Sequence, residues 1–436
     1  MAERTDERAG QVSLRTFWAQ LPAPGRWLLS TVAVQTVGRG LTLPFTIIYV
    51  NEVRGIPLGQ AGALMSIIAI VALLLTGPAG STTDRIGARA VLLVGSAAEL
   101  LGCAVLAFAT NAAAFAVGFV LLGVSFGVSW PAFNALIAAV VRGRMRQQYF
   151  GINFALVNLG IGVGGIVGGV FVDVRHPMSF TVIFLACGAS QLIPIGLLLG
   201  PLRHVHGRVE APSDEPGTAP ASYLTILRRP AVIWMTVLTF TTTFVGYGQM
   251  EAGFPAFARD VSEVSTRTIG FAFAANTATI VLLQFLVLRL IDGRRRTRVL
   301  LGMTGLWVLS WLVLGATGLV AGSAVATVGV IAFLAVFALG ETLMQPSIPA
   351  IVNDLADDHL RGRYNAVNAG AFQGGTIAAP IVAGVLLEHG WSQGFIGMAV
   401  VGCVAVALMS LVVERLITPA VNGVTATEPA EESVRG

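Results

Sequence analysis

The chain has 436 residues, 55% of them hydrophobic and only 11% charged, with a mean hydropathy of +0.78. Soluble domains carry about 25% charged residues, so a soluble globular enzyme and a disordered chain are excluded. Long unbroken apolar runs are also unlike the alternating strands of an outer-membrane barrel. The formal net charge is +4 and all 27 basic residues are arginine. All but Arg39 and Arg289 sit in loops or tails flanking apolar runs, where a membrane topology signal belongs, and they do not make a nucleic-acid footprint.

Taken in chain order, residues 1–20 are polar and mixed in charge, unlike a cleavable leader, so the first span is expected to be retained. Six spans are predicted at 27–50, 58–79, 90–110, 112–140, 149–172 and 178–200. A Pro-rich polar stretch, 201–222, reads as a linker. Residues 223–227, followed by Arg228 and Arg229, read as a short interfacial helix. Six more spans follow at 231–257, 268–291, 299–319, 322–350, 364–387 and 391–416. The expected fold is an all-α membrane protein of 12 transmembrane helices in two pseudo-symmetric six-helix bundles, 1–200 and 223–436, the latter with a cytoplasmic tail. With the N-terminus inside, 21 arginines fall in inner segments and 4 in outer ones, namely Arg54, Arg175, Arg259 and Arg267. That bias places both termini in the cytoplasm.

The halves repeat. At an offset of 215, Tyr149 meets Tyr364, Asn153 meets Asn368, Gly160 meets Gly375, Gly169 meets Gly384 and Pro131 meets Pro346. Spans one and seven align on Pro44 and Pro255 at an offset of 211. A 6+6 repeat predicts two bundles with a substrate path between them.

Between spans two and three lies Gly80-Ser-Thr-Thr-Asp84-Arg85-Ile-Gly87-Ala-Arg89. Gly87 permits a tight turn, Asp84 sits where a neighbouring helix N-terminus could meet it, and the arginines can hold lipid phosphate. This hairpin resembles the signature of the major facilitator superfamily, G-x-x-x-D-R-x-G-R-R, from which only Ala88 departs. The resemblance implies that Asp84 is a conformational latch of the cytoplasmic gate. Span five carries Gly151, Gly160, Gly164, Gly165, Gly168 and Gly169. Such a glycine face allows close helix packing. It is also similar to the G-x8-G-x3-G-P-x2-G-G motif of that family's antiporters, with Gly165 where the proline stands. The family's drug antiporters place an arginine four residues before a glycine in span four; here Phe119 precedes Gly123. Protons would therefore need other carriers.

Ionisable side chains within spans are costly, about 2.5–3.5 kcal/mol each on insertion scales, and invite functional roles. Arg39, Glu99, Glu251 and Glu341 are the candidates; Arg289 lies at an inner span end, where it can snorkel. The alignment of spans one and seven puts Glu251 opposite Gly40, so an Arg39–Glu251 pair is expected, with Glu341 second and Glu99 third as proton carriers. A fixed structural ion pair is the alternative. Gln35, Trp130, Asn134, Asn158, Phe244, Tyr247, Gln249, Asn276, Gln284, Gln345 and Gln373 make an amphipathic cavity lining. The histidines fall in loops or at span ends, and Cys103, Cys187 and Cys403 lie apart in apolar runs, so neither a metal, a cofactor nor a disulfide is expected.

No nucleophile–base cluster or phosphate loop supports catalysis. The expected function is secondary active transport across the cell membrane by a monomer, moving a small molecule and protons amid membrane lipid. The resemblance favours proton-coupled efflux of amphipathic compounds by alternating access, with Arg39 tuning the carrier acid; a proton-coupled uptake symporter for a sugar, peptide or other metabolite is the alternative.

Overall fold

The structure is a computed structural model; it describes residues 14–141, 144–205, 226–356 and 361–424. The expected linker lies largely outside the described residues, as do the start of the interfacial helix at 223–225 and both chain ends. The described chain is helical: α1 (Leu14–Gln20), α2 (Ala23–Thr42), α3 (Leu58–Ile86), α4 (Ala88–Phe108), α5 (Ala112–Val140), α6 (Arg144–Phe171), α7 (Met178–Ser190) and α8 (Leu192–Leu199) come first. The remainder are α9 (Pro230–Val245), α10 (Tyr247–Met250), α11 (Gly253–Asp260), α12 (Thr266–Ile291), α13 (Arg296–Thr317), α14 (Ala324–Leu355), α15 (Arg361–Glu388) and α16 (Ser392–Leu416). Among the described residues, eleven spans are long and apolar enough to cross a membrane. The segment expected as the first span is not among them. It runs as α2, then a tight 3-10 turn at Leu43–Phe45, and widens into a π-helical turn at Tyr49–Val53.

The two aligned prolines explain where helices one and seven depart from regularity. Proline has no N–H and cannot complete the i→i−4 ladder. Pro44 falls in the 3-10 turn, and Pro255 follows the gap between α10 and α11. The seventh span, expected as continuous over 231–257, is broken twice. Gly246 takes φ −110 and ψ −101, and Ala252 takes φ −133 and ψ −60. A Cβ at Gly246 would overlap the Trp307 ring, so the close approach itself requires glycine there.

Local signals set other boundaries. Three helices start with side-chain caps: Asn111 accepts from Ala114 N at 3.0 Å, Ser265 from Thr268 N at 3.2 Å and Ser323 from Ala326 N at 3.1 Å. Gly87, at φ +92, makes the one-residue turn between α3 and α4. Large apolar residues such as Leu74, Leu101, Phe108, Leu282, Val325 and Val401 stay exposed, as a lipid-facing surface demands.

The chain forms two compact units. The first comprises 1–40, 71–164 and 181–214; the second comprises 41–70, 165–180 and 215–436. In the first, Phe17 of α1 packs into a core with Leu28, Val91, Leu136, Tyr149 and Leu198. In the second, Trp311 packs within 5.0 Å of Phe333 and 5.7 Å of Phe395, and Trp307 stacks on Phe337 at 4.5 Å.

Candidate transport site

In the second unit, α14 buries Glu341, which is 7% exposed. Asn276 of α12 donates Nδ2–H to Glu341 Oε2 at 2.6 Å, and the Tyr247 hydroxyl of α10 also hydrogen-bonds the carboxylate. Gln345, one helical turn on from Glu341, donates to Tyr247 Oη at 2.8 Å. Beside this chain of bonds, Tyr247 and Phe372 have ring centroids 6.0 Å apart, and Phe240 stacks on Phe244 at 6.2 Å. A carboxylate in such surroundings is expensive to keep charged unless donors serve it; here two do. The arrangement can accept and release a proton next to an aromatic, partly apolar wall.

In the first unit, Ser125 Oγ of α5 donates to Glu99 Oε2 of α4 at 3.0 Å, and Gln191 hydrogen-bonds the same carboxylate. Arg39 acts on Glu99 electrostatically and lies over the Phe126 ring, 4.4 Å from its centroid. The structure therefore gives the span-one arginine Glu99 as a carboxylate neighbour, a grouping the spacing of residues did not bring forward. Glu251 is the C-cap residue of α10, beside the second break of span seven.

Within the second unit, several helix ends meet on the side to which the arginine count assigns the outer loops. Arg259 holds Glu52 through both carboxylate oxygens, Nε to Oε1 at 2.8 Å and Nη2 to Oε2 at 2.7 Å, and donates Nη1–H to Val264 O at 2.7 Å. Such a bidentate pair is both strong and geometrically specific. The bonds to Glu52 raise the guanidinium's proton affinity further. Ser66 Oγ of α3 donates to Ile377 O of α15 at 2.7 Å, and Gly59 N donates to Glu388 Oε2 at 2.6 Å. Thr266 Oγ1 of α12 donates to Val172 O at 3.0 Å.

The glycines of span five serve two neighbours. A Cβ at Gly160 would overlap Thr36, one at Gly40 would sit 3.0 Å from Gly164 Cα, and one at Gly168 would sit 2.8 Å from Leu41 O. On another face, a Cβ at Gly169 would lie 3.0 Å from Gly270 Cα, and one at Gly270 would overlap Gly165 O. Gly151 has nothing within 4 Å, so it takes no part in this packing. Mirrored crossings join α3 to α15: a Cβ at Gly62 would overlap Pro380 O, and one at Gly384 would lie 2.5 Å from Leu58 O.

Of the gate motif, Arg89 Nε donates to Leu198 O at 2.6 Å, Arg85 is exposed, and Gly87 makes the turn already described; the surroundings of Gly80 and the Asp84 side chain lie outside the described residues. Gln249 is fully buried and donates to Phe244 O at 2.9 Å across the Gly246 break. This bond repairs the helix backbone, because the break frees a carbonyl that must be satisfied. Asn158 likewise donates to its own helix at Phe154 O. Trp130 is exposed, and Gln35, Asn134 and Gln373 are half-buried. Sequence reasoning passed over Ser125, Gln191 and the Glu52–Arg259 pair. One signal could have found Arg259: an arginine that the charge count leaves on the outer side, against its own bias, needs a local reason to be there.

These observations define a polytopic helical membrane protein with a carboxylate held in a polar network within each unit. The sequence matches the family model of the Major Facilitator Superfamily over residues 28–330 and 261–434. The chain belongs to the Major Facilitator Superfamily; it is a multi-pass transporter of the cell membrane and not an enzyme. It is similar to the uncharacterized MFS-type transporter YqjV of Bacillus subtilis, 22% identical, covering 82% of this chain and 86% of that one. A shorter match, 25% identical, covers 33% of this chain and 37% of the quinolone resistance protein NorA of Staphylococcus aureus. Its fold is that of a POT family transporter solved in complex with 5-aminolevulinic acid, with TM-score 0.72 at 16% identity, covering 92% of this chain and 97% of that one.

Proposed function

We propose that this transporter exports amphipathic small molecules in exchange for protons. Protons enter on a buried acid, and substrate and proton use the cavity in alternation. The observation that carries the reading is Glu341, buried, served by Asn276 and Tyr247, and bordered by aromatic rings. Glu341 therefore takes precedence over Glu251 as the proton carrier. Glu99, with Ser125 and Arg39, is the corresponding acid of the first unit. The glycine crossings of span five and the partial likeness to a quinolone resistance protein support the export direction. Asp84 acts as the inner latch by its place in the hairpin motif, and Gln35, Trp130, Asn134, Phe244 and Gln373 contribute to the cavity wall.

Two measurements test this. A strain expressing the protein is expected to resist several unrelated amphipathic compounds relative to the empty-vector host. In liposomes, wild-type protein is expected to move protons when substrate is added, and Glu341→Gln to abolish that movement while retaining substrate binding. Proton movement by Glu341→Gln at the wild-type ratio would remove Glu341 from the mechanism.

A further inference from the structure

We propose that Tyr247 is the positioning residue that ties the state of Glu341 to closure of the outer end of the second unit. This rests on the reading of Glu341 as the proton carrier.

Tyr247 opens α10, a segment of four residues bracketed by the non-helical conformations of Gly246 and Ala252. Short segments between two breaks can change orientation without unwinding a long helix. Tyr247 is attached to α14 by its hydroxyl: it donates toward Glu341 and accepts from Gln345 at 2.8 Å. The segment's other contacts lead to both parts of the outer closure. On one side, a Cβ at Gly248 would overlap Ala379 and lie 3.1 Å from Gly375 O, so α10 rests directly on α15. That helix carries Ile377 and Glu388, which receive Ser66 and Gly59 of α3. On the other side, α10 continues into α11, whose Arg259 grips Glu52. Among the groups facing Glu341, Tyr247 is titratable and Asn276 is a neutral amide; Glu251 ends the same short segment, and Arg259, Asp260 and Glu52 stand at the far end of the path.

The chemistry sets the direction. An ionised Glu341 gives Tyr247 a charge-assisted hydrogen bond, about twice as strong as a neutral one. When the acid takes a proton, that bond weakens, α10 loses its anchor on α14, and the outer crossings lose their support from α15 and α11. The ionised acid thus favours the closed outer end, and protonation loosens it.

The experiment uses Ser66→Cys as a reporter in the full-length protein, because Ser66 is buried in the α3–α15 crossing and the native cysteines Cys103, Cys187 and Cys403 are buried. The rate of its labelling by a membrane-impermeant maleimide is measured at one fixed pH, relative to Leu319→Cys at an exposed outer position. Glu341→Gln, which mimics the protonated acid, is expected to speed labelling by roughly three- to tenfold, in line with the loss of a charge-assisted bond. Tyr247→Phe is expected to do the same, and the double variant no more than either single one. Tyr247→Phe is also expected to lower the substrate-to-proton ratio in liposomes, which a merely structural tyrosine would leave unchanged. If Glu341→Gln speeds labelling and Tyr247→Phe does not, or the two effects multiply, Tyr247 is not the link. Tyr247 is also ruled out as the link if Glu341→Gln stops proton movement but leaves labelling unchanged, and the proton-carrier reading then stands. If Glu341→Gln still moves protons at the wild-type ratio, that reading falls instead. Should Tyr247→Phe fail to fold, the exposed Gln345→Leu, which removes the other bond to the hydroxyl, takes its place in the cycle with the same expected and overturning results.

Discussion

Arg259 is one of only four arginines that the topology count leaves on the outer side, and the structure supplies its reason in Glu52, 207 residues away in the chain. Asp260 adjoins this pair. Partial desolvation of its carboxyl, together with the nearby Glu52 charge, pushes its pKa up to about 6 despite the opposing pull of Arg259. In an opened outer end the same carboxyl would titrate near an ordinary aspartate value of about 3.9. The closed form therefore binds the proton more tightly. Its extra stability is complete below about pH 4 and is lost as pH rises through about 6. Labelling of Ser66→Cys from outside is accordingly expected to quicken between about pH 4 and 7, beyond the reagent's own pH response. Asp260→Asn should hold the slow, acid-like rate across that range. A profile in Asp260→Asn as steep as the wild type would show that another group titrates there.

At the scale of elements, helix crossings without intervening side chains are the recurring device. Gly165, Gly169 and Gly270 bring α6 and α12 into backbone contact, and Gly59, Gly62 and Gly384 do so for α3 and α15. In lipid the apolar environment supplies little force for association, so close backbone approach and dispersion must supply it. Gly270→Ala places a methyl against the Gly165 carbonyl, which as backbone cannot move aside. It is expected to reduce transport by about tenfold or more, the scale of a 1.4 kcal/mol loss in closure. Gly151→Ala, in open space on the same helix as Gly165, is expected to transport as wild type. Equal activities for these two variants would show that the crossing does not bear on the cycle. The broken seventh span belongs to this scale too. Pro255 lies just beyond the break at Ala252, whereas the break at Gly246 follows from Trp307, which arrives from α13.

At the scale of the whole molecule, the chain's C-terminal segment is tied back to a helix start far away. Asn422, 3% exposed, accepts from Thr297 N at 3.0 Å through Oδ1, and its Nδ2 donates to Thr297 Oγ1 at 3.0 Å. Arg295, the residue preceding α13, makes no side-chain cap of its own. A residue 125 positions away thus caps the helix in its place. Arg296 N donates to Asn422 O at 2.9 Å, and its guanidinium reaches both Val421 O and Asp354. Loss of an N-cap costs about 1 kcal/mol. Asn422→Ala is expected to lower the detergent-solubilised Tm by a few degrees while leaving the substrate-to-proton ratio unchanged. An unaltered Tm would show that the segment is dispensable to stability.

Hydropathy in windows of about 20 residues was enough to read a multi-span helical membrane protein and the approximate positions of eleven spans. These properties are local, since each span must satisfy its own backbone in lipid whatever its neighbours are. The hairpin and glycine motifs were legible for the same reason, being short and contiguous. Partner choice was not legible. A span surrounded by lipid and by other helices is apolar on every side, so its periodicity does not tell which face meets which helix. Glu341 thus reads in sequence as one buried acid among several, and only the packing of α10, α12 and α14 brings Tyr247 and Asn276 to it. Glu99 finds Ser125 across α4 and α5, and Gln249 turns inward to mend a break that Trp307 requires, both by helix rotation. Rotation and crossing are set by contacts between residues tens to hundreds of positions apart, and those exist only once the chain has folded.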